Sequence, residues 1–370
     1  MKTLPLSGLL LVFLLPLARA QPAATARVVS AEIGADRRVT FRLQAPKANE
    51  VSLAGEFLSG SKPLEKNANG LWSVTVGPIA PEIYYYNLTI DGVRTIDPGN
   101  PDVKTGSTPS TISSILEVRG DSPAFYDAQA VPHGEIRTHW YESKSLKSMR
   151  RLTVYTPPGY DAARDRLPVL YLLHGANADE TAWTRLGRVN LILDNLIAAG
   201  KTKPFLVVMP FGYGVPPDAP AEAGKNTAQF GRDLIEDAIP YVEARYRVSP
   251  NRDRRALVGL SMGGGQAMAI GLNRLDIFSH VGVFSSGGGT AAEWPKTYGP
   301  LVADAAKTNR ELRLLWIGCG TEDAAFAAAK RFSDFLNENK IKHTFRDSGG
   351  AHTWMVWRRY LNEISPALFR

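Results

Sequence analysis

From Arg150 to the C-terminus, short apolar and β-branched runs recur with helix-like stretches between them, and this alternation leaves few folds open. The runs are RRLTVYTPP, LPVLYLLHG, PFLVVMPFG, RRALVGLS, SHVGVFSSG, LRLLWIGCG and IKHTFRDSG. Several have no polar face. Such a strand must be covered on both sides, which is the condition of a mostly parallel sheet between two helix layers. The segments GRVNLILDNLIAAG, FGRDLIEDAIPYVEARY and DAAFAAAKRFSDFLNENK supply helices, the last opening near an acidic residue and ending at an Asn-Lys turn. Repetition of strand then helix predicts a doubly wound α/β domain over residues 121–370.

The preceding segment is patterned differently. RRVTFRLQAP, EVSLAGEF, GLWSVTVGP, EIYYYNLTIDG and SSILEVRG alternate with period two and are separated by Gly, Pro and Asn. This predicts a small all-β sandwich over residues 21–120. The Pro-containing connection GDSPAFYDAQAVPHG joins it to the α/β part.

At 370 residues, with 44% hydrophobic and 21% charged residues, the chain is sized for two ordinary globular domains. Its first residues, MKTLPLSGLLLVFLLPLARA, combine Lys2, an apolar stretch from Leu4 to Leu17 and the small-x-small ending Ala18-Arg19-Ala20. That is the pattern of a signal peptide over residues 1–20, cleaved after Ala20 and leaving a secreted or periplasmic protein. No later run approaches the roughly 18 uninterrupted apolar residues of a membrane span, so no membrane anchor is expected. Cys319 is the single cysteine, so the exported protein is expected to rely on core burial without an internal disulfide. The formal charge of +7 becomes +5 without Lys2 and Arg19. The basic clusters Arg150-Arg151, Arg252 to Arg255 and Arg358-Arg359 each flank an apolar run and read as solvated ends of strands and helices. No aromatic-interleaved basic stripe accompanies them, and no nucleic-acid partner is expected.

Ligands of open α/β sheets gather beyond the carboxyl ends of the strands. Gly259-Leu260-Ser261-Met262-Gly263 follows such a run and opens a stretch of glycine and alanine, as a nucleophile elbow requires. A serine hydroxyl is a weak nucleophile at neutral pH and needs a base in hydrogen-bond reach and an acid to orient that base. Of the histidines after Ser261, His280 and His343 fall in or at the start of strand-like runs, while His352 lies in the loop DSGGAHTW past the last one. Asp323 comes just after LRLLWIG, whereas Asp276 and Asp334 fall in helical stretches and Glu293 in a loop; Glu322 is the adjacent alternative. Ser261, Asp323 and His352 are therefore the expected catalytic triad. Its oxyanion needs N–H donors, expected from Met262, next to the nucleophile, and from Ala176, in the loop after LPVLYLLHG. His174, just before Gly175, has a structural reading and a competing one as a second base. Trp183 and Trp354 lie near these loops and are candidate walls of the substrate pocket, with burial in the core as the alternative. No His/Cys/Asp grouping has metal-ligand spacing, and no cofactor or metal is expected.

VSLAGEF, NGLWSVTV, YYYNLTIDG and DPGNP resemble carbohydrate-binding module family 48 and related immunoglobulin-like domains. RRLTVYTPPGY, LPVLYLLHG, ALVGLSMGGGQAM, IGCGTED and GGAHTWMVWRRYL resemble carbohydrate esterase family 1, the esterase D-like branch of the α/β-hydrolases. The resemblance implies an α/β-hydrolase fold preceded by an immunoglobulin-like β-sandwich, with Ser261, Asp323 and His352 on the family's triad. It implies a serine esterase similar to bacterial feruloyl esterases, acting on a feruloylated or acylated polysaccharide or oligosaccharide. Acetylxylan esterases, siderophore trilactone esterases and acyltransferases share the scaffold and remain alternatives. It further implies Trp72 or the Tyr84-Tyr85-Tyr86 run as a glycan platform. Strand alternation instead puts Tyr84 and Tyr86 on one face, Tyr85 on the other, and makes Trp72 a core aromatic.

Overall fold

The computed structural model describes residues 28–218 and 223–370, so the expected signal peptide lies outside the described residues. Strands between Glu32 and Val118 form two antiparallel sheets. One orders Glu32–Ile33, Val39–Gln44, Leu71–Val76 and Glu65–Lys66; the other orders Lys62–Pro63, Val51–Gly55, Glu82–Ile90, Ser113–Val118 and Val103–Lys104, with Val93–Thr95 also paired to Glu82–Ile90. Alternation decides what each strand buries. Val39, Phe41, Leu53, Trp72, Tyr84, Tyr86 and Leu88 fill the space between the sheets. Trp72 donates its indole N–H to the carbonyl of Ala45. These rings belong to the core, so the glycan platform implied by resemblance is not formed at Trp72, Tyr84 or Tyr86. Tyr85 faces the other way and packs against the second unit.

The large sheet has eight strands, one more than the apolar runs announce. They are β1 Glu135–Ser143, β2 Ser148–Thr156, β3 Val169–Leu173, β4 Leu206–Pro210, β5 Arg255–Leu260, β6 His280–Phe284, β7 Leu314–Gly320 and β8 Thr344–Ser348. Their order is β1-β2-β4-β3-β5-β6-β7-β8, with β3 to β8 parallel and β1 and β2 antiparallel. Every residue of β3, β4, β5 and β6 is buried, as strands covered on both faces must be. β1 is an edge strand with mostly exposed residues, so no apolar run marks it. A helical segment runs from Ala223 to Arg245, widening into a π-helix over Asp233–Ala238 just before Pro240. Proline lacks an N–H and crowds the carbonyl one turn back, and the wider turn accommodates both. Buried Asp233 in this segment accepts from the hydroxyl of Tyr141 on β1 and from Arg150 on β2, locking the helix to the sheet edge.

The basic clusters are more than solvated ends. Arg150, Arg255 and Arg358 are buried and paired with Asp233, Glu243 and Glu82. A cation flanking an apolar run is pulled inward when a carboxylate waits there to offset its desolvation. Arg358 joins the two units. Carried on the helix Trp354–Ile364, it donates to the carbonyls of Leu186 and Ile83 and to the carboxylate of Glu82, with its guanidinium over the Tyr126 ring. Around it, Ile83 and Ile115 of the sandwich share one buried cluster with Trp183, Trp354 and Trp357. Arg358→Ala is expected to destabilise the protein by about 3–5 kcal/mol, since Glu82 is then left without its buried cation. Urea unfolding followed by tryptophan fluorescence measures this, and a loss under about 1 kcal/mol would place the pair among interactions of surface strength.

Candidate active site

β5 runs out at Leu260, and Ser261 turns the chain at φ 53° and ψ −117° before the helix Met262–Gly271 begins. Residues with a side chain rarely adopt this backbone, at a cost of about 1–3 kcal/mol. The turn closes because two neighbours have no Cβ. One on Gly259 would lie 2.2 Å from the carbonyl oxygen of Gly263, and one on Gly263 would lie 2.5 Å from that of His174. The Ser261 N–H donates to Phe284 at the end of β6, at 2.9 Å.

Two other strand exits meet Ser261. Asp323 follows β7, and His352 lies between β8 and the helix Trp354–Ile364. His352 Nε2 is 2.9 Å from Ser261 Oγ, and Nδ1 is 2.9 and 3.0 Å from the two Asp323 oxygens. An ionised carboxylate only accepts, so Nδ1 carries the proton and the lone pair of Nε2 faces the serine hydroxyl. That is the state of a general base. The Asp323 carboxylate is fully buried and also accepts the N–H of Ala325 at 2.8 Å. Trp357 sets its ring edge-on to the imidazole, with centroids 5.0 Å apart. Glu322, the alternative acid, instead accepts the N–H of Gly350 at 2.9 Å and so steadies the histidine loop. His280 and His343 bond to Ser279 and Ser333. The buried Cys319 thiol is pushed up to about 12, chiefly by desolvation and then by Asp323, so it stays protonated.

The placement of the two candidate oxyanion donors follows from local geometry. Met262 opens a helix, and the first N–H groups of a helix have no partner within it. Gly175 brings the other loop alongside, since a Cβ on it would lie 3.3 Å from Ser261 Cβ. Buried His174 accepts the Gly212 N–H at Nε2, at 2.9 Å, so its Nδ1 must be the donor to the Gly175 carbonyl, at 2.8 Å. C=O and N–H of a trans peptide point in opposite directions. Holding the Gly175 carbonyl inward therefore turns the Ala176 N–H outward. His174 has the structural role, because both its nitrogens are engaged in the loop.

Beside Ser261 opens a cavity of about 890 Å³ with a largely apolar lining, reached by Ala176, Tyr213, Pro216, Met262, Ile270 and Tyr298 among others. Asn226 shapes it by accepting the N–H groups of Gly214 and Val215. Trp183 and Trp354 are not on its wall. They are 1% and 4% exposed, pack against each other with centroids 5.2 Å apart, and Trp183 donates to the Leu173 carbonyl. Nearness in sequence to a catalytic loop did not reveal that both rings point down into the shared core. Tyr213, which the sequence did not single out, is the aromatic residue that borders both the cavity and the loop of Ala176; its hydroxyl accepts the N–H of Asn177. Among the described residues no grouping of His, Cys, Asp and Glu could hold a metal ion.

Burial lowers the pKa of His174 to about 4. It is expected to remain the neutral Nδ1–H tautomer between pH 5 and 8, and long-range proton–nitrogen NMR of the imidazoles checks this. Since the unfolded chain would protonate it near pH 6.5, its contribution to stability is present above that pH and is lost as pH falls towards 4. A His174 that titrates near pH 6.5 in the folded protein would remove the burial argument.

A family model described as Esterase matches residues 143–368. A protein of Xylanibacter ruminicola named endo-1,4-beta-xylanase/feruloyl esterase is 34% identical over 339 residues, spanning 89% of this chain and 44% of its own. The chain spans less than half the length of the curated relatives it matches. A ferulic acid esterase from Anaeromyces mucronatus, solved with ferulic acid, superposes with a TM-score of 0.58 at 24% identity, covering 69% of this chain and 98% of that one. The enterobactin esterase of Shigella flexneri superposes with a TM-score of 0.66 at 20% identity, covering 90% and 93%. These two likenesses concern the fold, an α/β-hydrolase sheet, which the second extends over nearly the whole chain. With its family match and an eight-stranded hydrolase sheet, the chain belongs to the Esterase family.

Proposed function

We propose that the protein is a serine carboxylic ester hydrolase that releases hydroxycinnamates from plant cell-wall arabinoxylan through an acyl-enzyme on Ser261. The observation that carries this is the Ser261–His352–Asp323 relay opening on a large, mainly apolar cavity. In the first half-reaction His352 Nε2 takes the serine proton as Oγ attacks the ester carbonyl. The Met262 and Ala176 N–H groups face the developing oxyanion. Collapse of the tetrahedral intermediate expels the sugar oxygen, which takes the proton back from His352, and water attacks the acyl-enzyme with His352 again as base. The relative named xylanase/feruloyl esterase supports the choice of substrate.

The cavity argues for a neutral aromatic acyl group rather than an anionic catecholate. Its two arginines are each matched by a carboxylate: Arg274 is held by Asp276 at 2.7 Å, and Arg232 lies 3.8 Å from Glu236. A siderophore trilactone esterase, the reading favoured by the likeness to the enterobactin esterase over most of the chain, would gain from unmatched cations there. A flat hydroxycinnamoyl group buries apolar area at about 25 cal/mol per Å², while an acetyl group has little to bury. Acetylxylan esterase is the further alternative. Export through residues 1–20, and a division into a sandwich at 21–120 and a hydrolase domain at 121–370, belong to this proposal. Among the described residues no helix is long and apolar enough to cross a membrane.

Ser261→Ala is expected to leave a folded protein whose ester hydrolysis falls on the order of 10³-fold or more, and Asp323→Asn to cost a similar order by setting the wrong imidazole tautomer. Near-normal turnover in either variant would dismiss the relay. On substrates, kcat/KM for methyl ferulate is expected to exceed that for acetylated xylan and for an enterobactin-type lactone; a preference for either of the latter selects the corresponding alternative.

A further inference from the structure

We propose that the N-terminal sandwich sets the second oxyanion donor, with Lys104 as the positioning residue. The inference rests on the assignment of Ser261 as nucleophile. Ala176 lies between two anchored peptides. On one side His174 grips the Gly175 carbonyl. On the other, Asn177 is held at φ 60°, with its N–H donated to the Tyr213 hydroxyl at 2.9 Å and its carbonyl accepting from Lys104 Nζ at 3.2 Å. Lys104 is a residue of the sandwich. Its ammonium group is buried between the units, donates also to the Thr111 carbonyl at 2.8 Å, and lies over the Tyr85 ring.

The same sandwich segment touches the loop a second time. Thr105 Oγ1 lies 3.1 Å from Thr181 Oγ1, and Thr181 donates its N–H and hydroxyl to Asp179. The loop 176–181 is thus bracketed from the sandwich near both its ends. Asn177 and Ala176 are themselves exposed, so little packing holds their peptides in place. A left-handed backbone at a residue with a side chain persists only where its surroundings over-determine it. Without the Lys104 contact the Asn177 carbonyl is released and only the His174 and Tyr213 contacts fasten the loop around Ala176, which lets the loop shift as a whole and carries the Ala176 N–H away from the reacting oxygen. A donor misplaced by about 1 Å can lose its effect on the transition state while substrate binding is retained.

Lys104→Met keeps the apolar stem and removes the donor. Glu117→Gln serves as the control, because it removes the partner of Arg188 across the same interface, at 2.6 Å, without touching this loop. Three quantities are read: melting temperature, kcat and KM on methyl ferulate, and the affinity of an arylboronic acid that becomes tetrahedral on Ser261. In Lys104→Met, kcat and boronate affinity are expected to fall together by about tenfold to a hundredfold, with KM within about twofold. In Glu117→Gln both are expected to stay near those of the unaltered chain even if the melting temperature drops. If Lys104→Met does not fold, Lys104→Gln, which is shorter and uncharged, is expected to show the same joint loss. Boronate that binds the unaltered chain and the folded Lys104 variant equally, or an equal loss in Glu117→Gln, overturns the inference alone. Boronate that does not bind the unaltered chain overturns the nucleophile assignment and this inference with it.

Discussion

The strained turn at Ser261 is the constraint around which the rest is arranged. A serine at φ 53° lifts its hydroxyl out of the sheet, but the conformation holds only while β3 and β6 flank β5 and two side-chain-free glycines let the returning helix press against the strand. Its cost of about 1–3 kcal/mol is small beside the burial of the four central strands. One turn thereby presents the Ser261 hydroxyl, places the Met262 N–H at the open end of a helix, and brings Ser261 to the point where the β7 and β8 exits converge.

Around that turn each supporting group has a second attachment. Asp323 accepts from Ala325 as well as His352, Trp357 packs on the imidazole while donating to Ser285, and His174 bridges Gly212 and Gly175. Such doubling fixes side-chain rotamers before substrate arrives, so little reorganisation remains for the reaction itself. The sandwich belongs to this scheme. It shares a core with the hydrolase sheet and touches the loop of Ala176, so the change of patterning near Gly120 marks a boundary of architecture more than of mechanical independence.

Much of this was legible in the chain because it depends on residue type, chain order and strand exit. The doubly buried strands announce themselves by lacking a polar face, and Ser261 and Asp323 stand just past two of them, while His352 stands in the Gly-rich loop past the exposed edge strand β8. What was not legible depends on direction. β1 hides because an edge strand needs no apolar run. Trp183 and Trp354 could face cavity or core, and only the packing of the helix Trp354–Ile364 against the sandwich decides for the core. Arg358 looked like one half of a solvated pair with Arg359, because the carboxylate that draws it inward lies far away in sequence. The same distance hides Lys104, whose meaning appears only when its loop meets Asn177.

The clamp between Glu82 and Arg358 spans 276 positions. Contacts so remote form late in synthesis, since the ribosome delivers the sandwich long before the helix Trp354–Ile364. Until that helix arrives, the cluster around Ile83, Tyr85 and Ile115 lacks Trp354, Val356, Trp357, Tyr360 and Leu361, and the loop that carries His352 has no fixed base to fold upon. A chain synthesised only as far as β8 therefore carries Ser261 and Asp323 but neither His352 nor the closed interface that holds these strand exits in register.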